Sequence, residues 1–131
     1  LGAFDGVQVD AHPMDVAASC NRIPTLDGHL ENVWADTAQP LTPEAAQTAI
    51  ADYPSADLPS SPAPLIHTFD EPDRPQPRLD RMLGEGMALS TGGFRATPQG
   101  VQYNCLAHNT LRGAAGASVL NGELLAREGY L

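Results

Sequence analysis

Proline placement most constrains what this chain can become. Four of its 12 prolines fall at positions 54, 59, 62 and 64, and three more at 72, 75 and 77. Proline lacks an N–H and fixes its backbone, so neither stretch can be regular helix or central strand. Regular structure is thereby confined to three zones. In the first, residues 5–10 alternate loosely as a short strand, 14–20 read as a second strand, and 30–35 as a third. Leu30, Asn32 and Trp34 of that third strand share one face; Glu31, Val33 and Ala35 share the other. Thr42-Pro43-Glu44 then opens a helix to about residue 52 or 53, with an N-cap threonine, proline at the first turn and an early acid. Ala45, Ala46, Ala49 and Ile50 make its apolar stripe.

In the second zone residues 54–64 form a surface loop, 65–69 a strand, and 70–82 an irregular segment. The third zone holds strands at 87–96 and 100–107 around a turn at 97–100, then a helix from 111 to 127. Asn109 or Thr110 can cap that helix, and Gly129 can end it. Its start, Gly113 to Ser118, is small-sided and admits close approach of a neighbour or a ligand. The order is that of an α+β fold: a mixed or antiparallel sheet with one internal helix and a C-terminal helix.

Composition narrows the function. The chain has 131 residues and net charge −9, and all of its basic residues are arginine. Such a chain has no basic cluster to offer nucleic acid or an anionic membrane. No apolar run reaches the roughly 18 residues of a membrane span. The chain begins Leu-Gly-Ala-Phe-Asp, without Met or signal pattern, and reads as an internal start in a longer protein. Two cysteines, Cys20 and Cys105, fit a reduced, cytoplasmic setting better than a disulfide scaffold, and no metal site is expected. No glycine-rich loop follows a leading strand, so the chain has no dinucleotide fingerprint of its own.

Four features can carry chemistry. Arg22 and His29 flank a Pro- and Gly-containing turn, joining a two-pronged anion grip to a near-neutral acid/base; the plain alternative is a surface arginine and a loop histidine. Residues 73–81 alternate acids with arginines on a proline-stiffened segment, suited to ion pairs at a subunit interface or to a solvated loop. Asn109 heads a small-sided helix and can meet a cofactor carboxamide, or simply cap the helix. Cys20, close to Arg22, is either an activated thiol or a small buried residue at a strand end; the second fits better.

The run Cys20-Asn21-Arg22-Ile23-Pro24-Thr25-Leu26-Asp27-Gly28-His29-Leu30-Glu31 resembles the active-site segment of the archaeal and fungal branch of aspartate-semialdehyde dehydrogenases. Glu71 to Asp80 (EPDRPQPRLD) and His108 to Gly116 (HNTLRGAAG) resemble two further blocks of that branch, in family order. The resemblance implies a truncated catalytic and dimerisation domain like that of glyceraldehyde-3-phosphate dehydrogenase over 1–107. It implies a C-terminal helix, 108–131, that packs on a missing nucleotide-binding domain. His29 would be the acid/base, Arg22 the clamp on the substrate carboxylate, Glu31 an orienting or substrate-binding partner, and Asn109 a neighbour of the nicotinamide. The implied cofactor is NADP, held mainly by the missing domain, and the substrate is β-aspartyl phosphate, on the route to lysine, threonine and methionine. The nucleophilic cysteine belongs to a segment outside this chain, and Cys20 does not take its place. A homo-oligomer through the sheet and the 70–82 loop is implied too. A malonyl-CoA reductase looks similar over these blocks, and a non-catalytic dimerisation module would need neither Arg22 nor His29.

Overall fold

The computed structural model describes residues 2–131. Its first elements are β1 (Gly2–Phe4) and β2 (Val9–Ala11), an antiparallel hairpin. Of the strand expected at 5–10, residues 5–8 are instead the turn between β1 and β2, and only 9 and 10 are strand. Asp5 drives the difference: its Oδ1 accepts the N–H groups of Val7 and Gln8, both at 2.8 Å, and Gly6 takes φ +101°. Asp-Gly is a strong hairpin signal for this reason. The strand expected at 14–20 does not form; that stretch carries no regular structure, and Cys20 is exposed. With no partner strand beside it, local alternation had no surface to bury.

The main sheet has four strands in the order β3-β6-β5-β4: β3 (His29–Asp36), β4 (Ile66–Phe69), β5 (Leu89–Ala96) and β6 (Gly100–Ala107). β3 pairs antiparallel with β6, from His29↔Ala107 to Asp36↔Gly100; β5 pairs antiparallel with β6 and parallel with β4. The sheet is thus mixed. Between Gly92 and Arg95 two residues of β5 oppose one of β6, a bulge at which Gly93 adopts φ +66°. It stacks Phe94 on Tyr103, ring centroids 5.2 Å apart.

α1 (Pro43–Ala51) starts as expected: Thr42 Oγ1 accepts the Ala45 N–H at 3.2 Å and Pro43 fills the first turn. Its inward stripe is Pro43, Ala46, Gln47 and Ile50, while Ala45 and Ala49 are exposed. The expected stripe was turned partly outward, because alanine fits either face. α1 lies against β4 and β5.

The proline-rich stretch 70–82 is not wholly irregular. Pro77–Asp80 forms a one-turn helix, α2, with Pro77 at its start, where a missing N–H costs nothing. A 3₁₀ turn, Leu83–Gly86, follows. A β-carbon on Gly92 would lie 2.6 Å from the Arg74 carbonyl oxygen, so this stretch crosses the face of β5 at that glycine. The last helix opens with a π turn at Leu111–Ala115 and continues as α3 (Gly116–Arg127). Gly116 packs on the Met87 sulfur, where a β-carbon would collide. The small-sided stretch thus meets a neighbouring side chain. Gly129 ends the helix at φ +79°: its N–H bonds the Ala126 carbonyl, and the Tyr130 N–H bonds that of Leu125 at 2.9 Å.

Candidate active site

The site is built on the end of the sheet where β3 begins and β6 ends. Residues 23–28 make two tight bonds of their own: the Thr25 N–H to the Ile23 carbonyl at 2.9 Å, and Thr25 Oγ1 to the Asp27 carbonyl at 3.1 Å. Gly28 closes the turn at φ +104°, a backbone region open to glycine and strained for other residues. It is buried, with the Leu106, Pro77 and Arg81 side chains about it. The Gly28 N–H donates to Asn109 Oδ1 at 3.0 Å. The β3–β6 register, carried one step past His29↔Ala107, would oppose Gly28 to His108. There β6 leaves the sheet for the helix, and the Asn109 side chain supplies the acceptor. His29 follows at once, the first residue of β3, with its side chain exposed.

Asn109 was expected to cap the last helix, as was Thr110. Neither does so with its side chain. His108 does: its Nδ1 lies 3.2 Å from the N–H groups of both Thr110 and Leu111. Accepting them requires an unprotonated Nδ1, so the neutral ring carries its proton on Nε2. His108 is only 6 % exposed. Histidine is not a favoured cap residue, so the residue preferences pointed to its two neighbours.

The arginine-rich stretch supports the turn from below. Arg74 grips Asp80 with two nitrogens, Nε at 2.8 Å and Nη2 closer still, and the Gln76 N–H adds a third bond at 2.6 Å. Asp80 is fully buried, and burial alone would raise its carboxyl; the Arg74 guanidinium and the Gln76 amide outweigh that and hold it below the usual carboxylate range. Arg74 also lies over the Phe69 ring, 4.3 Å from its centroid. Arg81 Nη1 donates to the Pro77 carbonyl at 3.0 Å, and its Nε comes within 3.7 Å of Asp27 Oδ2. Of the ion pairs on this stretch, Arg74–Asp80 lies within it and Arg81–Asp27 reaches the 23–28 turn.

His29 and Glu31 share one face of β3, beside Ala107 and Cys105 of β6. No hydrogen bond joins the two. Burial raises the Cys105 thiol, and the Glu31 carboxylate adds to it. Such a thiol is inert. Arg22 is exposed and makes no hydrogen bond or ion pair among the described residues. His29 and Asn109 are thus brought to one place through Gly28, while Arg22 stands in the irregular stretch before it. Two surface concavities lie at the far end of β3, lined by residues that include Asp36, Ala96 and Thr97. That is about 23 Å from His29 at strand rise. Sequence reading missed His108 and the brace formed by Asp27, Arg74, Asp80 and Arg81. A carboxylate six residues after an arginine was the available signal for its core.

The chain as a whole is similar to known proteins. Residues 3–112 match the family model described as semialdehyde dehydrogenase, dimerisation domain. An aspartate-semialdehyde dehydrogenase of Archaeoglobus fulgidus is 46 % identical over 98 % of the chain, which covers 38 % of that protein. The Aspergillus fumigatus aspartate-semialdehyde dehydrogenase is 39 % identical over 90 % of the chain, which covers 35 % of it. A crystal structure of aspartate semialdehyde dehydrogenase with NADP from Candida albicans superposes with TM-score 0.67 at 38 % identity, over 82 % of this chain and 32 % of that one. The chain spans little more than a third of the length of the curated relatives it matches.

Proposed function

The chain belongs to the semialdehyde dehydrogenase family through its dimerisation domain, and on that footing we propose that it is the C-terminal part of an aspartate-semialdehyde dehydrogenase. The whole protein would be a cytoplasmic enzyme that reduces β-aspartyl phosphate to the semialdehyde and releases phosphate. The observation that carries this reading is the Gly28–Asn109 bond, which sets the start of the C-terminal helix against the turn that presents His29. Identity of 46 % with the Archaeoglobus protein supports it.

The chemistry divides between this chain and the rest of the protein. A cysteine from outside the chain attacks the acyl phosphate, and phosphate leaves a thioester behind. NADPH, when bound, supplies the hydride that reduces it. His29 takes the proton from the thiol, gives a proton to the oxygen as hydride adds, and takes that proton back as the hemithioacetal collapses to aldehyde and thiolate. Arg22, with no hydrogen-bond or ion-pair partner among the described residues, grips the substrate carboxylate in two prongs and so aligns the reacting carbonyl. Glu31, two residues along the same face as His29, is a second polar group at the substrate's edge.

The residues present fit a nicotinamide at one point only. Asn109 spends its oxygen on Gly28, and its Nδ2 donates to no other described residue. That leaves one amide donor beside His29 for the carboxamide. No phosphate cradle lies among the described residues, and the dinucleotide is held mainly by the N-terminal domain. Residues 1–107 complete the catalytic and dimerisation domain, and 108–131 pack on that N-terminal domain. Val119, Leu124 and Leu125 of α3 are 55, 38 and 44 % exposed, an apolar set suited to such a cover. The protein is a homo-oligomer, joined through the sheet and the 70–82 segment, where Leu79 and Met82 are exposed.

The test is the full-length protein assayed with NADPH against β-aspartyl phosphate and against malonyl-CoA. The expected result is phosphate release coupled to NADPH oxidation with the first. Turnover of malonyl-CoA alone would overturn the reading.

A further inference from the structure

We propose that Asn109 is a positioning residue for the acid/base, acting through its side-chain oxygen on Gly28, separately from any contact its amide nitrogen makes with cofactor. The inference rests on the role of His29 given above. Three observations carry it. Asn109 Oδ1 is committed inward, 3.0 Å from the Gly28 N–H, across 81 residues of chain. Gly28 is buried and sits at φ +104°, so the direction in which the backbone leaves it, and with it the placement of His29, depends on what holds that amide. The Asn109 oxygen continues the β3–β6 ladder one step beyond its last pair, His29↔Ala107, at the point where the β6 backbone turns away.

The helix end of this link is also anchored. His108 Nδ1 receives the Thr110 and Leu111 N–H groups, which leaves the Asn109 side chain with no capping duty. Gly116 seats the helix on Met87. Asn109 is thus held by the helix start, and holds the turn. Its two side-chain atoms have separable tasks: the oxygen sets the position of His29, and the nitrogen is left to face outward. Loss of the oxygen frees the Gly28 peptide and misplaces His29. A displacement of the reacting group by about 1 Å costs on the order of 10²-fold in rate.

Three variants of the full-length enzyme separate the atoms. Asn109→Asp keeps an acceptor for Gly28 and loses the amide donor. Asn109→Ala loses both, and Asn109→Gln keeps the amide but moves its oxygen by one methylene. The expected result is kcat down by about tenfold to a hundredfold in Asn109→Ala and Asn109→Gln. In Asn109→Asp kcat should fall less than in Asn109→Gln, with the larger effect on its KM for NADPH. Asn109→Gln carries the comparison if the alanine variant does not fold. Equal loss of kcat in Asn109→Asp and Asn109→Gln would overturn the proposal. So would a raised KM for NADPH as the only change in Asn109→Ala. His29→Ala, assayed beside them, keeps the two readings apart. Full activity there removes the acid/base role itself, whereas an inactive His29→Ala beside an unimpaired Asn109→Gln removes only the positioning role.

Discussion

The backbone N–H of Gly28 is bonded to the side-chain oxygen of Asn109 at 3.0 Å, and this contact joins the turn before His29 to the start of the last helix. The turn is held on its other side by Leu106, Pro77 and Arg81. Gly28→Ala tests that packing directly. Its β-carbon would lie 3.2 Å from Leu106 Cδ1 and 3.4 Å from Pro77 Cβ, on a backbone at φ +104°. Strain of this kind costs on the order of 1–3 kcal/mol. Denaturant unfolding of the full-length protein should show that loss, and kcat should fall with it, since the turn must shift to admit the methyl.

Asp80 makes stability depend on acid. Its folded-state affinity for the proton is lowered by Arg74 and Gln76 against the pull of burial, so the folded protein binds that proton more weakly than the unfolded chain. The contribution is complete above the ordinary aspartate value of 3.8 and is withdrawn as pH falls below it. Asp80→Asn leaves the Arg74 charge without its partner. The variant should be less stable than wild type at neutral pH, by less than a fully buried broken pair would cost, because the Arg74 side chain is 24 % exposed. Melting curves from pH 3 to 7 should show a shallower acid limb in this variant than in wild type.

Arg22 has no hydrogen-bond or ion-pair partner among the described residues, so its replacement should leave stability within about 0.5 kcal/mol. Arg22→Lys keeps the charge and loses the fork. The expected outcome is a raised KM for β-aspartyl phosphate, with the KM for NADPH held. Steady-state kinetics varying each substrate in turn reads both. An unchanged KM for the acyl phosphate would remove Arg22 from the clamp.

Sequence reading found most of the sheet, because β3, β5 and β6 bound themselves with strong local signals: Gly28 and Gly100 at their starts, Thr97 and Pro98 at the turn between β5 and β6. It found α1 from Thr42 and Pro43. It failed where a single polar side chain redirected the backbone. Asp5 made residues 5–8 of one expected strand into a turn, and His108 displaced Asn109 and Thr110 as the cap. The proline-rich stretch was legible as a break in regular structure, but not as a brace. Its Arg74–Asp80 pair owes its weight to burial under the sheet, and burial is a tertiary fact. The resemblance put His29 and Asn109 in one active site, but not the Gly28–Asn109 bond, which depends on the β3–β6 register closing an 81-residue interval.

His29 is the proposed acid/base, and its role is read most directly from the kcat of His29→Ala in the full-length enzyme with saturating β-aspartyl phosphate and NADPH. An exposed histidine at the first position of β3 has no structural load, so the variant should fold as wild type does. The expected result is a fall in kcat of about 10²–10⁴, the scale of a lost proton-transfer group. A correctly folded His29→Ala enzyme that keeps its full kcat would contradict it.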